Sequence, residues 1–263
     1  MLRLFPEPAP FLPPLKTLLI QGPYHPSAPI HLCLSTPLNS KALVLSPSRQ
    51  ALTQSLVEYN DNWINDYSGI GNITRISSQV DIFYPSTPGH LVALLSSLRA
   101  HDASINAPIN PKTTLDLAPS LIVLHEPSAY FLSESDSSES QCPDLPYSPA
   151  FASFVLFDSQ LHRLKFPVVR APPRSAFEAD DDRGEAPRPE SAALFAQKYF
   201  EWIGTFETFP GPSSSTDTPS RTLRVRLQRN GEEADDQNIL WECQEIQERG
   251  MPGQKASKTF VWS

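Results

Sequence analysis

Four consecutive apolar residues, Leu121-Ile122-Val123-Leu124, lie between Pro119 and Pro127, and His125 and Glu126 follow them directly. An unbroken apolar run with two β-branched members predicts a strand covered on both faces, the pattern of a parallel α/β sheet. Comparable runs recur upstream. Residues 15–21 (LKTLLIQ) predict a first strand and 41–45 (KALVL) a second. Residues 73–84 end in VDIFYP and predict a third, with alternation at Val80, Ile82 and Tyr84. Helices are expected between them. Residues 30–38 form a short one with Cys33 and Leu34 inward, and residues 50–63 carry a stripe at Leu52, Leu56, Tyr59 and Trp63. Ser46-Pro47-Ser48 supplies the turn and cap before that stripe. Residues 60–72, polar with two glycines, read as a loop. Ser86-Thr87-Pro88 caps a helix at 89–100 striped by Leu91, Leu94, Leu95 and Leu98, and 102–117 reads as a linker.

The second half is less regular. Residues 149–164 (Phe151, Phe154, Val155, Leu161) read as a helix and 165–170 (KFPVVR) as a fifth strand. Residues 191–204 read as a helix with Leu194, Phe195, Tyr199, Phe200 and Ile203 on a broad apolar face. Three alternating segments, 222–228, 238–245 and 258–262, predict an antiparallel extension of the sheet. The acidic, Ser-rich stretch 133–148, the Pro-rich acidic stretch 171–190 and residues 211–220 are expected to be disordered insertions. Residues 1–14 are expected to be a flexible N-terminal segment ahead of one domain at 15–263.

Composition adjusts this picture in three places. The 28 prolines are about twice the average share and gather between the apolar segments, which argues for a core interrupted by extended loops. The three cysteines, Cys33, Cys142 and Cys243, have neither zinc-ligand nor disulfide-framework spacing, so a reducing compartment is expected. No stretch has the roughly 18 apolar residues of a membrane span, and the Pro-broken N-terminus lacks a signal peptide's pattern. The net charge is −8, with 7 Lys and Arg against 8 Asp and Glu up to residue 130 and 14 against 21 beyond it. Bulk charge therefore excludes a generic nucleic-acid binder.

After the first strand comes Gly22-Pro23-Tyr24-His25-Pro26-Ser27-Ala28-Pro29. A phosphate-binding loop, G-x-x-x-x-G-K-[ST], belongs between such a strand and its helix. Gly22 fits its first glycine. Ser27 stands where the second glycine belongs, Ala28 where the lysine belongs, and Pro29 where the Mg²⁺-ligating hydroxyl belongs. Pro26 and Pro29 also remove N–H donors from the cradle. His125 then occupies the position of the Mg²⁺-holding acid, with Glu126 behind it. These six residues read as a degenerate, inactive nucleotide site. It requires the Gly22 segment and the end of the 121–124 strand to lie side by side on neighbouring strands.

The order of these elements is that of a RecA-like core. TLLIQGP at 17–23, ISSQVDIFYPSTPGHLVALLSSLRA at 76–100, PSLIVLHEPSAYFLSE at 119–134 and FAQKYFEWI at 195–203 resemble the small RecA-like recombinase paralogs of the Shu complex. They resemble especially the subunit of that complex that partners the SWIM-domain zinc protein. That resemblance implies a RecA-like P-loop fold with a mainly parallel sheet and C-terminal antiparallel strands. It implies a non-catalytic nuclear subunit, a pseudo-ATPase without ATP or Mg²⁺, that promotes recombinase filament assembly in homologous-recombination DNA repair. Its partners would be a SWIM-domain protein or a recombinase protomer, with single-stranded DNA reached through the complex. A RecA-like Elongator subunit acting in tRNA wobble-uridine modification and an atypical ATPase are the rival readings.

Outside the degenerate site, Arg221, Arg224, Arg226 and Arg229 are the candidate DNA contacts, and charge protection of an edge strand is the competing explanation. His25, His31, His90, His101 and His162 are scattered without zinc spacing and read as ordinary surface or core histidines. No nucleophile-elbow motif is present.

Overall fold

A computed structural model describes residues 1–100, 114–132, 152–167, 189–210, 220–231, 238–248 and 256–262. The chain runs β1 (Thr17–Gln21), α1 (Ala28–Leu34), β2 (Lys41–Leu45), α2 (Arg49–Tyr59), α3 (Asn62–Tyr67), α4 (Gly71–Ser77), β3 (Val80–Phe83), α5 (Pro88–Ser97), β4 (Arg99–Ala100) and β5 (Thr114–Leu115). It continues through β6 (Pro119–His125), α6 (Ala129–Leu132), β7 (Ser153–Asp158), β8 (Lys165–Pro167), β9 (Pro189–Ser191) and α7 (Ala192–Gln197). Four strands close it: β10 (Trp202–Pro210), β11 (Ser220–Arg229), β12 (Asn238–Glu248) and β13 (Ser257–Trp262).

Nine strands form one sheet in the order β13-β12-β11-β10-β1-β7-β6-β2-β3. From β3 across to β10 every pairing is parallel. From β10 to β13 every pairing is antiparallel. The fold is thus α/β with a mixed sheet, parallel in its larger part and antiparallel at its C-terminal side.

The unbroken apolar runs explain the sheet's two faces. On β1, Leu18 and Ile20 face the main core while Leu19 faces the opposite layer, and all three are fully buried. On β7, Val155 and Phe157 join the main core and Phe154 and Leu156 the other layer. Helix starts follow the expected chemistry. Ser48 accepts from Ala51 N (3.2 Å) to cap α2, and Thr87 accepts from His90 N (3.1 Å) to cap α5. Asn60, in the left-handed region at φ 54°, ends α2, and Asp61 caps α3 at once.

Several expectations are corrected. The described part of the helix expected at 149–164 is not an α-helix: Ser153–Asp158 is β7, inserted between β1 and β6. Residues 191–204 are only partly helical. The helix stops at Gln197 and Trp202 opens β10, where Trp202 and Phe206 alternate into the core. Gly204 in that strand lets β1 approach: a Cβ there would sit 2.5 Å from Ile20 Cδ1. Of the strand expected at 165–170, Lys165–Pro167 is β8, which pairs with β9 in a separate ribbon and not in the main sheet, and 168–170 lie outside the described residues. The loop expected at 60–72 contains α3 and the start of α4, and the third strand is confined to Val80–Phe83. Within the expected linker, Thr114–Leu115 pairs with β4. The insertions expected at 133–148 and 211–219, and all but the end of 171–190, lie outside the described residues.

Residues 1–14 are packed rather than free. Leu4, Phe5, Ala9 and Leu12 are buried in the main core. Phe5 meets Phe260 and Trp262 edge-on, each at 5.0 Å, and stacks obliquely on His25 at 4.5 Å. This strap therefore ties β13 to the loop after β1. A second tie is Glu245, which accepts from Arg221 Nε and Nη2 (2.8 and 2.9 Å) and from Tyr59 Oη (2.6 Å), with Lys258 Nζ at 3.2 Å. Burial alone would raise this carboxyl, but the Arg221 and Tyr59 hydrogen bonds outweigh it and hold it low.

Candidate functional site

The chain leaves β1 at Gly22, whose φ is +87°. A Cβ there would lie 2.6 Å from the Phe206 carbonyl oxygen, so only glycine fits this turn against β10. Tyr24 N then donates to Gly22 O (2.8 Å) and Ala28 N to His25 O (2.9 Å), which folds the loop onto itself. Ser27 caps α1 by position, and Ala28 and Pro29 begin it. All three are buried and face the interior. Ser27 Oγ donates to Asp61 Oδ2 (2.5 Å) and lies 3.0 Å from His25 Nδ1, while His31 Nε2 lies 2.8 Å from the same Asp61 oxygen. Of the positions matched to a phosphate cradle, Ser27 thus joins a buried polar cluster, while Ala28 and Pro29 pack inside the first turn of α1.

That cluster revises the reading of the histidines, because His25 and His31 converge on one carboxylate. Burial pushes His25 well below the ordinary imidazole value, with His31 adding to the effect. Burial would raise Asp61, yet the hydrogen bonds from His31 and Ser27 hold it low. His90 and His162 are exposed, and His101 is outside the described residues.

At the end of β6, His125 is buried with its Nδ1 3.2 Å from Ser46 Oγ. Burial lowers its pKa to about 4, so at neutral pH it is uncharged. Glu126 adopts φ 49°, a left-handed backbone that a side chain of its size rarely takes. Its N–H donates to Phe157 O (2.7 Å), and its carboxylate swings over the end of β7. There it accepts from Ser159 N (3.1 and 3.3 Å) and from Tyr24 Oη (2.5 Å). The Tyr24 phenol is raised well above its usual value by burial and by the facing Glu126. Beside it, Asp158 accepts from Ser128 N, Ser128 Oγ and Gln160 N, each at 2.8 Å. Burial nevertheless raises Asp158.

The Gly22 segment and the end of β6 do meet, but not from neighbouring strands. β7 stands between β1 and β6, and the Tyr24–Glu126 hydrogen bond spans it. The cavity at this edge holds about 360 Å³ and is lined by Tyr24, Ser46, His125, Glu126, Ser159 and Gln160, among others. No Lys or Arg is among its described lining residues. Sequence reading named Gly22, His125 and Glu126 here and missed Tyr24, Ser46, Asp158 and Ser159. Asp158 and Ser159 carried a usable signal, since they end an apolar run of the same kind as 121–124. Tyr24 carried none, because its partner is 102 residues away.

The four arginines do not form one stripe. Arg224 and Arg226 share the outer face of β11, whereas Arg221 turns inward to Glu245. Arg224 pairs with Glu242 (2.7 Å) over the Phe209 ring, and Arg229 lies 3.4 Å from Glu201. Arg226 is exposed. Arg221, Arg224 and Arg229 are thus each matched by a carboxylate.

No protein-family model matches the chain, and no curated protein matches it. The chemistry of the site must be argued from its own geometry. It offers a neutral imidazole, two hydrogen-bonded carboxylates, hydroxyls and one side-chain amide. Such a set can hold the ends of β1, β6 and β7 together, and among the described residues no Lys or Arg stands with it.

Proposed function

We propose that this chain is a non-catalytic RecA-like subunit of a Shu-like complex, acting in the nucleus to promote recombinase filament assembly during homologous-recombination repair. The observation that carries the reading is the engagement of Glu126 by Tyr24 and Ser159. At the strand ends where a nucleotide hydrolase grips triphosphate and metal, this chain engages its acidic residue with its own side chains. The parallel strand order, continued by antiparallel strands at the C-terminal side, supports the RecA-like part of the proposal. In this reading ATP and Mg²⁺ are not required, and the shape of the domain is what the partner uses.

Assembly needs surface. Leu194, Phe195 and Tyr199, on and just after α7, are 62%, 53% and 68% exposed. Apolar groups gathered in this way suit a protein contact. A SWIM-domain protein or a recombinase protomer is the expected occupant, and DNA is reached through the complex rather than through the paired arginines of β11.

Affinity purification with mass spectrometry tests the assignment. Recovery of a SWIM-domain protein or a recombinase, with damage sensitivity in a deletion strain, is the expected result. Recovery of a tRNA-modifying assembly, or normal resistance to DNA damage, overturns it. ATP turnover lost in Glu126→Gln would overturn the non-catalytic part.

A further inference from the structure

A second cavity lies on the main-core side of the sheet, under the N-terminal strap. It holds about 530 Å³, and its apolar wall is built by Phe11, Leu34, Trp63, Tyr67, Ile73 and Ile76. Cavities of roughly 300–1,000 Å³ with mostly apolar walls and a few placed polar groups are the usual form of a small-molecule site. Trp63 and Tyr67 stack on one another at 5.3 Å with 25° between their planes, and both line the cavity, so that wall is aromatic.

The polar groups select the ligand's charge. His31 is already committed, with Nε2 2.8 Å from Asp61. Arg3 also lines the cavity, its side chain 15% exposed and its guanidinium 3.9 Å from the Phe11 ring centroid. Its Nη1 is buried and lies 2.9 Å from Glu7 Oε1, but off the hydrogen-bonding direction. Glu7 itself is 79% exposed. An exposed carboxylate in such a pair contributes little and is readily displaced, whereas a guanidinium at a desolvated wall receives a planar carboxylate well.

We propose that this cavity binds a small aromatic monoanion, its ring against Trp63 and Tyr67 and its carboxylate on Arg3 in place of Glu7. The site is separate from the strand-end cluster and does not depend on the function proposed above.

Titration calorimetry of the full chain with 2-naphthoate, and with the neutral 2-naphthylmethanol, tests it. Saturable binding of the acid is expected, weakened about tenfold or more in Arg3→Gln. Glu7→Gln should tighten the acid and leave the alcohol unchanged, which keeps the test decisive even if Arg3→Gln unfolds. Tyr67→Ala should weaken both compounds. No saturable binding of the acid up to about 5 mM, the weak end of measurable affinity, would overturn the proposal. So would equal responses of acid and alcohol to Arg3→Gln or Glu7→Gln.

Discussion

Tyr24→Phe removes one hydroxyl and leaves a ring of nearly the same size. The ring contacts of Tyr24 with Phe157 (5.1 Å), Phe206 (6.3 Å) and His125 (6.3 Å) are kept, so no large cavity opens. What is lost is the 2.5 Å bond to the Glu126 carboxylate. Hydrogen bonds to charged groups contribute about 1.5–3 kcal/mol, and that is the expected loss of stability. Glu126→Gln keeps an oxygen for Tyr24 and Ser159 and should cost only about 1 kcal/mol. The double variant should fall short of the sum by at least about 0.5 kcal/mol, because both changes act on one bond. Urea unfolding at constant m gives each value. Hydrogen exchange at residues 22–27 should rise in Tyr24→Phe, since that bond ties the loop to β6. A loss below about 0.5 kcal/mol, or strict additivity, would refute the claim that Tyr24 and Glu126 hold the strand ends together.

Three other outcomes are expected. Phe5→Ala should destabilise the fold by about 3–5 kcal/mol, read by urea midpoint, because a fully buried aromatic that joins the strap to β13 is removed. Gly22→Ala should cost about 2 kcal/mol or more on thermal or chemical unfolding, since φ +87° and the Phe206 carbonyl leave no room for a Cβ. His125 should make stability fall with acidification. At pH 7 its imidazole is neutral in both states, but below its ordinary 6.5 the unfolded chain takes up a proton that the folded chain refuses until about 4. The loss from this group approaches about 3 kcal/mol at the bottom of that window. His25 acts in the same sense and the raised Asp158 in the opposite one. Comparing the pH dependence of the urea midpoint in His125→Asn with that of the unaltered chain isolates the His125 part, and equal slopes would contradict it.

How much of this was legible in the sequence depended on how local the physics was. Leu18, Leu19 and Ile20 are all buried because β1 is covered on both sides, and an unbroken apolar run reports that directly. Phe154-Val155-Leu156-Phe157 sends the same signal, yet Leu161 at a helical spacing allowed a second period to be drawn through it. Length should have decided, because four apolar residues fill a strand and are too few for a packed helix. The error then spread. With β7 taken as a helix, Asp158 and Ser159 were not at a strand end, and β1 and β6 had to be neighbours. The strap was hidden for another reason: prolines signal extended chain, and whether extended chain is loose or packed depends on what meets Leu4 and Phe5.

The strand-end chemistry was half legible. Departures from a phosphate-binding loop can be read one position at a time, because each of that loop's residues has a fixed place. The contacts made at those positions cannot. Tyr24 reaches Glu126 only because β7 brings two distant strands within a side chain's length, and Ser27 meets His31 only through Asp61 at the start of α3. The positive φ at Glu126 belongs with these. A left-handed backbone at a non-glycine residue costs about 1–3 kcal/mol and persists only where neighbours over-determine it. Here they do: Phe157 O, Ser159 N and Tyr24 Oη each hold one part of Glu126. The residue is therefore held in a strained conformation by its bonds across β7.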